Sequence, residues 1–132
     1  MTKYFISTII CVFTLSSSFG QSQLDINQNE YNSYEKAERE INVVYQKIIK
    51  EYRADTEFIK NLKTAQRLWI QFRDADLKAR YPTRTQGYYG SVQPMCVSIY
   101  LTQLTNDRIK TLMVWLTGIK EGDVCSGAVK IK

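Results

Sequence analysis

Four charged residues fall inside otherwise apolar helical faces: Glu38, Arg73, Asp76 and Arg108. At 100° per residue, each lies within the arc that its segment would bury. A buried guanidinium without an acid is very costly, whereas a paired one is tolerated. The pattern therefore predicts a paired inner network, with Asn42 and Gln66 satisfying the remaining donors and acceptors. Such a network has two uses. It can orient the helices, or its two arginines can hold an anionic group of a ligand. The second use makes a small-anion or carbohydrate binding domain, built on Arg73 and Arg108, the alternative reading of function.

Acid/base and metal chemistry has little to work with. The chain has no histidine. That removes the usual general base, the Ser-His and Cys-His nucleophile pairs and His-containing metal sites. No phosphate-binding glycine loop or calcium-loop spacing occurs. Asp74 and Asp76 invite a carboxylate-pair reading, but residues two apart on a helix point about 200° apart and cannot share a substrate atom. A hydrolase using Glu38 or Asp76 would lack supporting groups. The expectation is a non-enzymatic protein without cofactor or metal.

A second candidate site is a loop. Tyr81 to Pro94 carries three tyrosines and two flexible glycines. Tyr88 and Tyr89 could form a binding surface, since tyrosine offers contact area with a polar end. The alternative is that they lie down to cover the end of the fold.

The elements that must position these residues are three helices. Tyr34, Ala37, Ile41, Val44, Tyr45, Ile48, Ile49 and Tyr52 recur at three- and four-residue spacing and predict a helix over about 31–52. Residues 21–29 read as an extended lead-in. Asp55 is placed to cap a second helix over about 56–80, whose stripe is Phe58, Leu62, Ala65, Trp69 and Phe72. Pro82 stops it. A third helix over about 95–116 is marked by Val97, Tyr100, Leu101, Leu104, Leu112 and Trp115, with Gly118 as its cap. Residues 118–132 form a tail, either an extended arm or without order. The fold class is all-α: a small bundle of three main antiparallel helices, helix two central, with a long loop between helices two and three. Its core spans about 29–117.

The address comes from the first twenty residues. Lys3, an apolar run from Tyr4 to Leu15 and a small polar stretch ending at Gly20 have the three-part pattern of a signal peptide. This predicts an exported domain over 21–132, periplasmic or extracellular, without stable membrane insertion after cleavage. Of 18 basic side chains, 17 remain without Lys3, against 13 acidic ones, a net charge of +4. The excess is spread out, which suits weak attraction to an anionic envelope polymer or a solvated face without a partner. No basic stripe interleaved with aromatics argues for nucleic acid. Cys96 and Cys125 remain; in an oxidising compartment they are the candidates for a disulfide, with two free thiols as the alternative.

Several of these residues resemble one family. Glu38 followed by Ile41-Asn42 and Tyr45, the run Ala-Gln-Arg-x-Trp-Ile-x-Phe-Arg-Asp-Ala over 65–75, Gly90-Ser91, and Thr105-x-x-Arg108 with Leu112 resemble the N-terminal domain of the lysozyme inhibitor LprI. Much of that family has no assigned function. The 65–75 run is the specific piece. The resemblance implies an exported helical domain and raises inhibition of a lysozyme or cell-wall hydrolase, in which case the partner is an envelope protein. Lysozymes are mostly basic and so is this chain, so charge does not favour that pairing. The family's cysteines would align with Asn29, Leu77 and Tyr100, and the resemblance leaves Cys96 and Cys125 as a replacement staple.

Overall fold

The fold is given by a computed structural model that describes residues 15–132. It has three helices, α1 (Leu15–Glu51), α2 (Thr56–Arg80) and α3 (Gln93–Thr117). Residues 1–14 of the expected signal peptide lie outside the described residues. Residues 15–20, its remainder, are the first turns of α1. The expected lead-in over 21–29 is helical too, because α1 runs unbroken for 37 residues. Polar runs there mislead: Gln23 donates to Asn27 and Gln28 to Asn32, each an i,i+4 pair on the helix surface.

The α1–α2 turn follows its sequence signals. Asp55 caps α2 by accepting from the Phe58 amide at 2.9 Å, with Glu57 in the first turn. Helix α3 starts earlier than expected, because Pro94 opens its first turn instead of ending the loop. Proline suits that place, where an amide proton would have no helical partner.

Contacts fix the directions. Glu38 meets Arg73 and Tyr52 meets Phe58, so α1 and α2 run in opposite senses. Glu38 also meets Thr105, and Tyr52 meets Trp115, so α1 and α3 run in the same sense. The bundle is up, down, up, with consecutive helices antiparallel.

The tight seam is between α1 and α3. Ala37, Ser98 and Thr105 are buried on it, and small side chains let two backbones approach. Ile41, Val44, Ile48, Ile109 and Leu112 continue the core, and Leu62 is the one buried apolar residue from α2. Helix α2 stands further off. Long side chains fill the space beneath it, chiefly Phe58, Trp69, Arg73 and, from α3, Trp115. This corrects the expectation that α2 is central: the α1–α3 pair is the spine, and α2 is laid on it.

Phe72 is a further correction. It was expected inside the apolar arc and is 58% exposed. The stripe 58, 62, 65, 69, 72 repeats every seven residues, while a straight helix advances slightly less than two turns in that interval. The row drifts by about 20° per heptad. Ala65 and Phe72 therefore roll off the edge, and Leu62, Gln66, Trp69 and Arg73 form the face that meets the spine.

The tail folds back as an arm. The Ile119 amide donates to Lys130 O at 3.0 Å and Lys132 N to Ile119 O at 2.9 Å, making a parallel bridge between Ile119 and Ile131. The Tyr52 hydroxyl donates to Trp115 O at 2.9 Å and accepts from Lys130 N at 3.0 Å, and Lys130 pairs with Glu51. Gly118 makes this return possible, with φ +73° and ψ 175°, a conformation close to glycine-only. A Cβ there would also sit 2.8 Å from Lys130 O. Gly118→Ala is expected to lower stability by about 1–3 kcal/mol and to release the arm, read as faster amide exchange at Ile119 and Lys132.

Cys96 and Cys125 are both free thiols. Cys96 sits in the first turn of α3, roughly 30 Å along that helix from the end where the tail folds back. The bridge considered from the sequence does not form in this structure, because the arm docks on the far end of the bundle.

Candidate functional site

Helix α2 brings Gln66, Trp69, Arg73 and Asp76 to the spine, and α1 and α3 supply the groups they meet. Arg73 is 8% exposed. Its Nη1 donates to Glu38 Oε1 at 2.6 Å, and its Nε and Nη2 both donate to Asp74 Oδ1 at 3.1 and 3.0 Å. Thr105 Oγ1 also reaches Glu38 Oε1, at 3.5 Å. Burial works against the Arg73 charge, but Tyr34, Glu38 and Asp74 outweigh it and hold the guanidinium above the usual arginine range. By helical angle Asp74, two residues from Asp76, falls outside the buried arc. Its side chain is 55% exposed, yet it turns along the helix to its neighbour; helical angle places a Cβ, not the end of a side chain.

Arg108 is built differently. Its Nε donates to Gln66 Oε1 at 3.1 Å. It forms no ion pair among the described residues. Trp69 lies between the two arginines, 5.3 Å from the guanidinium carbon of Arg73 and 6.0 Å from that of Arg108. Asp76 does not join Arg73. It accepts from the Tyr100 hydroxyl, and Arg80 stacks over the Tyr100 ring at 4.3 Å. That bond to Asp76, with a smaller contribution from burial, holds the Tyr100 hydroxyl above the ordinary phenol range. Asn42 is exposed and donates to Glu38 O in its own helix. The single expected network is thus two clusters joined by Trp69, plus a separate Asp76–Tyr100–Arg80 tie between α2 and α3.

Two half-buried tyrosines of α1, Tyr34 beside this cluster and Tyr45 further along the helix, were not singled out in the sequence as titrating groups. Burial, with Glu38, Asp74 and Tyr31 adding to it against Arg73, raises the Tyr34 hydroxyl above its ordinary value, and burial alone raises Tyr45. A folded value above the unfolded one means the native state holds its proton longer. The stability from these phenols is complete below pH about 10 and is lost as pH rises past it. In an alkaline titration followed by tyrosinate absorbance, Tyr34 and Tyr45 are expected to ionise above the ordinary phenol range. Phenylalanine at both positions should shift the alkaline midpoint upward.

The tyrosine loop is ordered by stacking. Tyr89 packs edge-on to Tyr81 at 5.5 Å and its hydroxyl donates to Pro82 O at 2.8 Å. Tyr88 packs edge-on to Tyr89 at 4.9 Å and is 65% exposed. Turns at Gly87 and Gly90 use positive φ, +79° and +74°. Asn27 of α1 donates to Ser91 O at 3.3 Å. The two tyrosines therefore divide the roles between them: Tyr89 lies down as a support, and Tyr88 stands up.

Two shallow depressions lie elsewhere, along the C-terminal half of α1. One of about 690 Å³ is lined by Lys47, Lys50, Glu51, Arg53 and Leu116, and one of about 410 Å³ by Asn42, Val43, Gln46, Lys47 and Lys50. Neither touches the arginine clusters or the tyrosine loop. Among the described residues no group of three or more metal-ligating side chains occurs, and no helix is long and apolar enough to cross a membrane.

Comparison with known proteins agrees with this framework. No solved structure matches the chain. An uncharacterized protein of Rhizobium meliloti (strain 1021) is 33% identical over 103 residues, covering 69% of this chain and 71% of the relative. The model of the family described as lysozyme inhibitor LprI matches residues 16–112, which takes in Glu38, Gln66, Trp69, Arg73, the tyrosine loop and Arg108. A match over that much of the chain is decisive, and the protein belongs to the LprI family.

Proposed function

We propose that this protein is an exported, non-enzymatic binding domain of the cell envelope, and that it inhibits a lysozyme or related cell-wall hydrolase through its tyrosine loop. Membership of a family described as a lysozyme inhibitor supports the activity. The leader-like pattern of residues 1–20 supports the address. The observation that carries the contact surface is Tyr88: an exposed aromatic ring held in one place by the Tyr81–Tyr89 stack and the Tyr89–Pro82 hydrogen bond. An aromatic anchor ordered before binding loses little entropy on contact, and such residues dominate interface energies. Arg73 acts inside the bundle in this reading, with its donors taken by Glu38 and Asp74.

The test is inhibition of peptidoglycan lysis by a panel of lysozymes, with binding measured at two salt concentrations. Tyr88→Ala should weaken binding by roughly 2 kcal/mol, about thirtyfold, at unchanged melting temperature. Tyr89→Phe should weaken it less, by freeing the loop from Pro82. Because both partners are basic, added salt should leave affinity unchanged or raise it. Inhibition that is untouched by Tyr88→Ala would place the contact elsewhere. No binding to any lysozyme would reject the activity.

A further inference from the structure

We propose that Arg108 and Gln66 form a carboxylate-binding site in the seam between α2 and α3. The Arg108 Nε–H bond to Gln66 Oε1 fixes the plane of the guanidinium. Its two Nη groups and Gln66 Nε2 have no protein acceptor among the described residues. No fully buried side-chain nitrogen or oxygen lacks a partner there, so these three donors are reached by solvent. They offer a bidentate edge and an adjacent amide, walled on one side by Trp69.

The contrast with Arg73 gives the reason. Arg73 is matched by two carboxylates, while Arg108 is half-buried with no counter-ion. No acid could come from the stretch outside the described residues, since the first carboxylate in the sequence is Asp25. Burial alone acts on Arg108 and pushes it below the usual arginine range. The Gln66 amide and the Trp69 face offset only part of the cost of desolvating this cation, and a bound anion would return more of it. The charge count selects the class of anion. Arg73 with Glu38 and Asp74 carries a net negative charge, whereas Arg108 is half-buried and forms no ion pair among the described residues. A planar monoanion matches its fork, whereas a phosphate dianion would face one cation beside an acidic cluster. The acidic group of a sugar and that of a peptide share this chemistry. The site does not depend on the lysozyme reading.

The experiment is a nitrogen-15 NMR titration of the protein with sodium acetate, against sodium chloride and phosphate at matched ionic strength. The Arg108 Nε–H and Trp69 indole signals should move saturably with acetate, with a millimolar midpoint, and not with chloride. Arg108→Lys should weaken the Trp69 response about tenfold or more, because lysine keeps the charge and loses the fork. Glucuronate and N-acetylglutamate then separate the sugar and peptide sources by which binds more tightly. A response that chloride reproduces, phosphate binding as tightly as acetate, or a Trp69 response unchanged in Arg108→Lys overturns the assignment. Arg108→Met gives an independent reading. It should melt at or above the temperature of the unaltered protein; a fall of about 5 °C or more would make Arg108 a structural fixture and reject the site.

Discussion

Replacing Arg73 with methionine should destabilise the protein by about 3 kcal/mol or somewhat more, at the lower end of the 3–5 kcal/mol seen when one member of a buried ion pair is removed. The low end applies because the Glu38 side chain keeps 34% of its surface and Asp74 keeps 55%, so water compensates part of what the guanidinium supplied. The cost has identifiable parts. Glu38 loses its 2.6 Å partner and retains only a long contact with Thr105. Asp74 loses two hydrogen bonds, and Trp69 loses a cation from its face. Glu38→Gln should cost less, about 1–2 kcal/mol, because Arg73 still has Asp74. The informative variant is the double one. With Arg73→Met and Glu38→Met together, no buried charge is orphaned, and much of the loss should return. Urea unfolding of the unaltered protein, Arg73→Met, Glu38→Met and the double variant gives the coupling energy. If Arg73→Met costs under about 1 kcal/mol, the pair is not what ties α2 to the α1–α3 spine. Arg108→Met runs the other way in the same assay, which separates a structural arginine from one kept for a ligand.

The sequence was most legible where a signal is local. Asp55 and Gly118 each carry one physical demand, a cap or a positive φ, and both sit where their residue types indicate. The buried face of α1 was also readable, since Ala37, Ile41, Val44 and Ile48 keep helical spacing and are all buried. Legibility failed where the answer depends on what lies opposite. Helical angle gave Arg73 and Arg108 the same status, yet one meets two acids and the other an amide, because only tertiary placement decides which neighbours arrive. Asn42 was assigned to the interior by its angle, but its amide is satisfied by its own helix backbone. The extended reading of residues 21–29 failed for a related reason: polar residues without apolar period look like a lead-in, whereas a helix already nucleated at 31–51 can propagate backward through them cheaply. Tyr88 and Tyr89 were equivalent in sequence. The hydrogen bond to Pro82 distinguishes them, and nothing in the residue types marks that bond.

The second large effect is expected in the core, and it tests which helices form the spine. Ile48 has no exposed surface and Leu112 is 1% exposed, one from α1 and one from α3. Alanine at either should cost about 3–5 kcal/mol, the upper part of the range for buried aliphatic residues. The upper part applies because the surrounding core comes from two closely packed helices that cannot easily close around a cavity. Leu62, the buried aliphatic residue of α2, should cost less, about 2–3 kcal/mol, since the looser layer beneath α2 can relax into the space. Phe72→Ala should cost about 0.5 kcal/mol or less, although it removes a larger side chain, because more than half of that residue is already in water. The order Ile48 and Leu112 above Leu62, with Phe72 near zero, follows only if α1 and α3 carry the core. A bundle organised around α2 would reverse it, placing Leu62 and Phe72 among the costliest positions. Thermal melts of the four alanine variants, each compared with the unaltered protein, decide between the two arrangements.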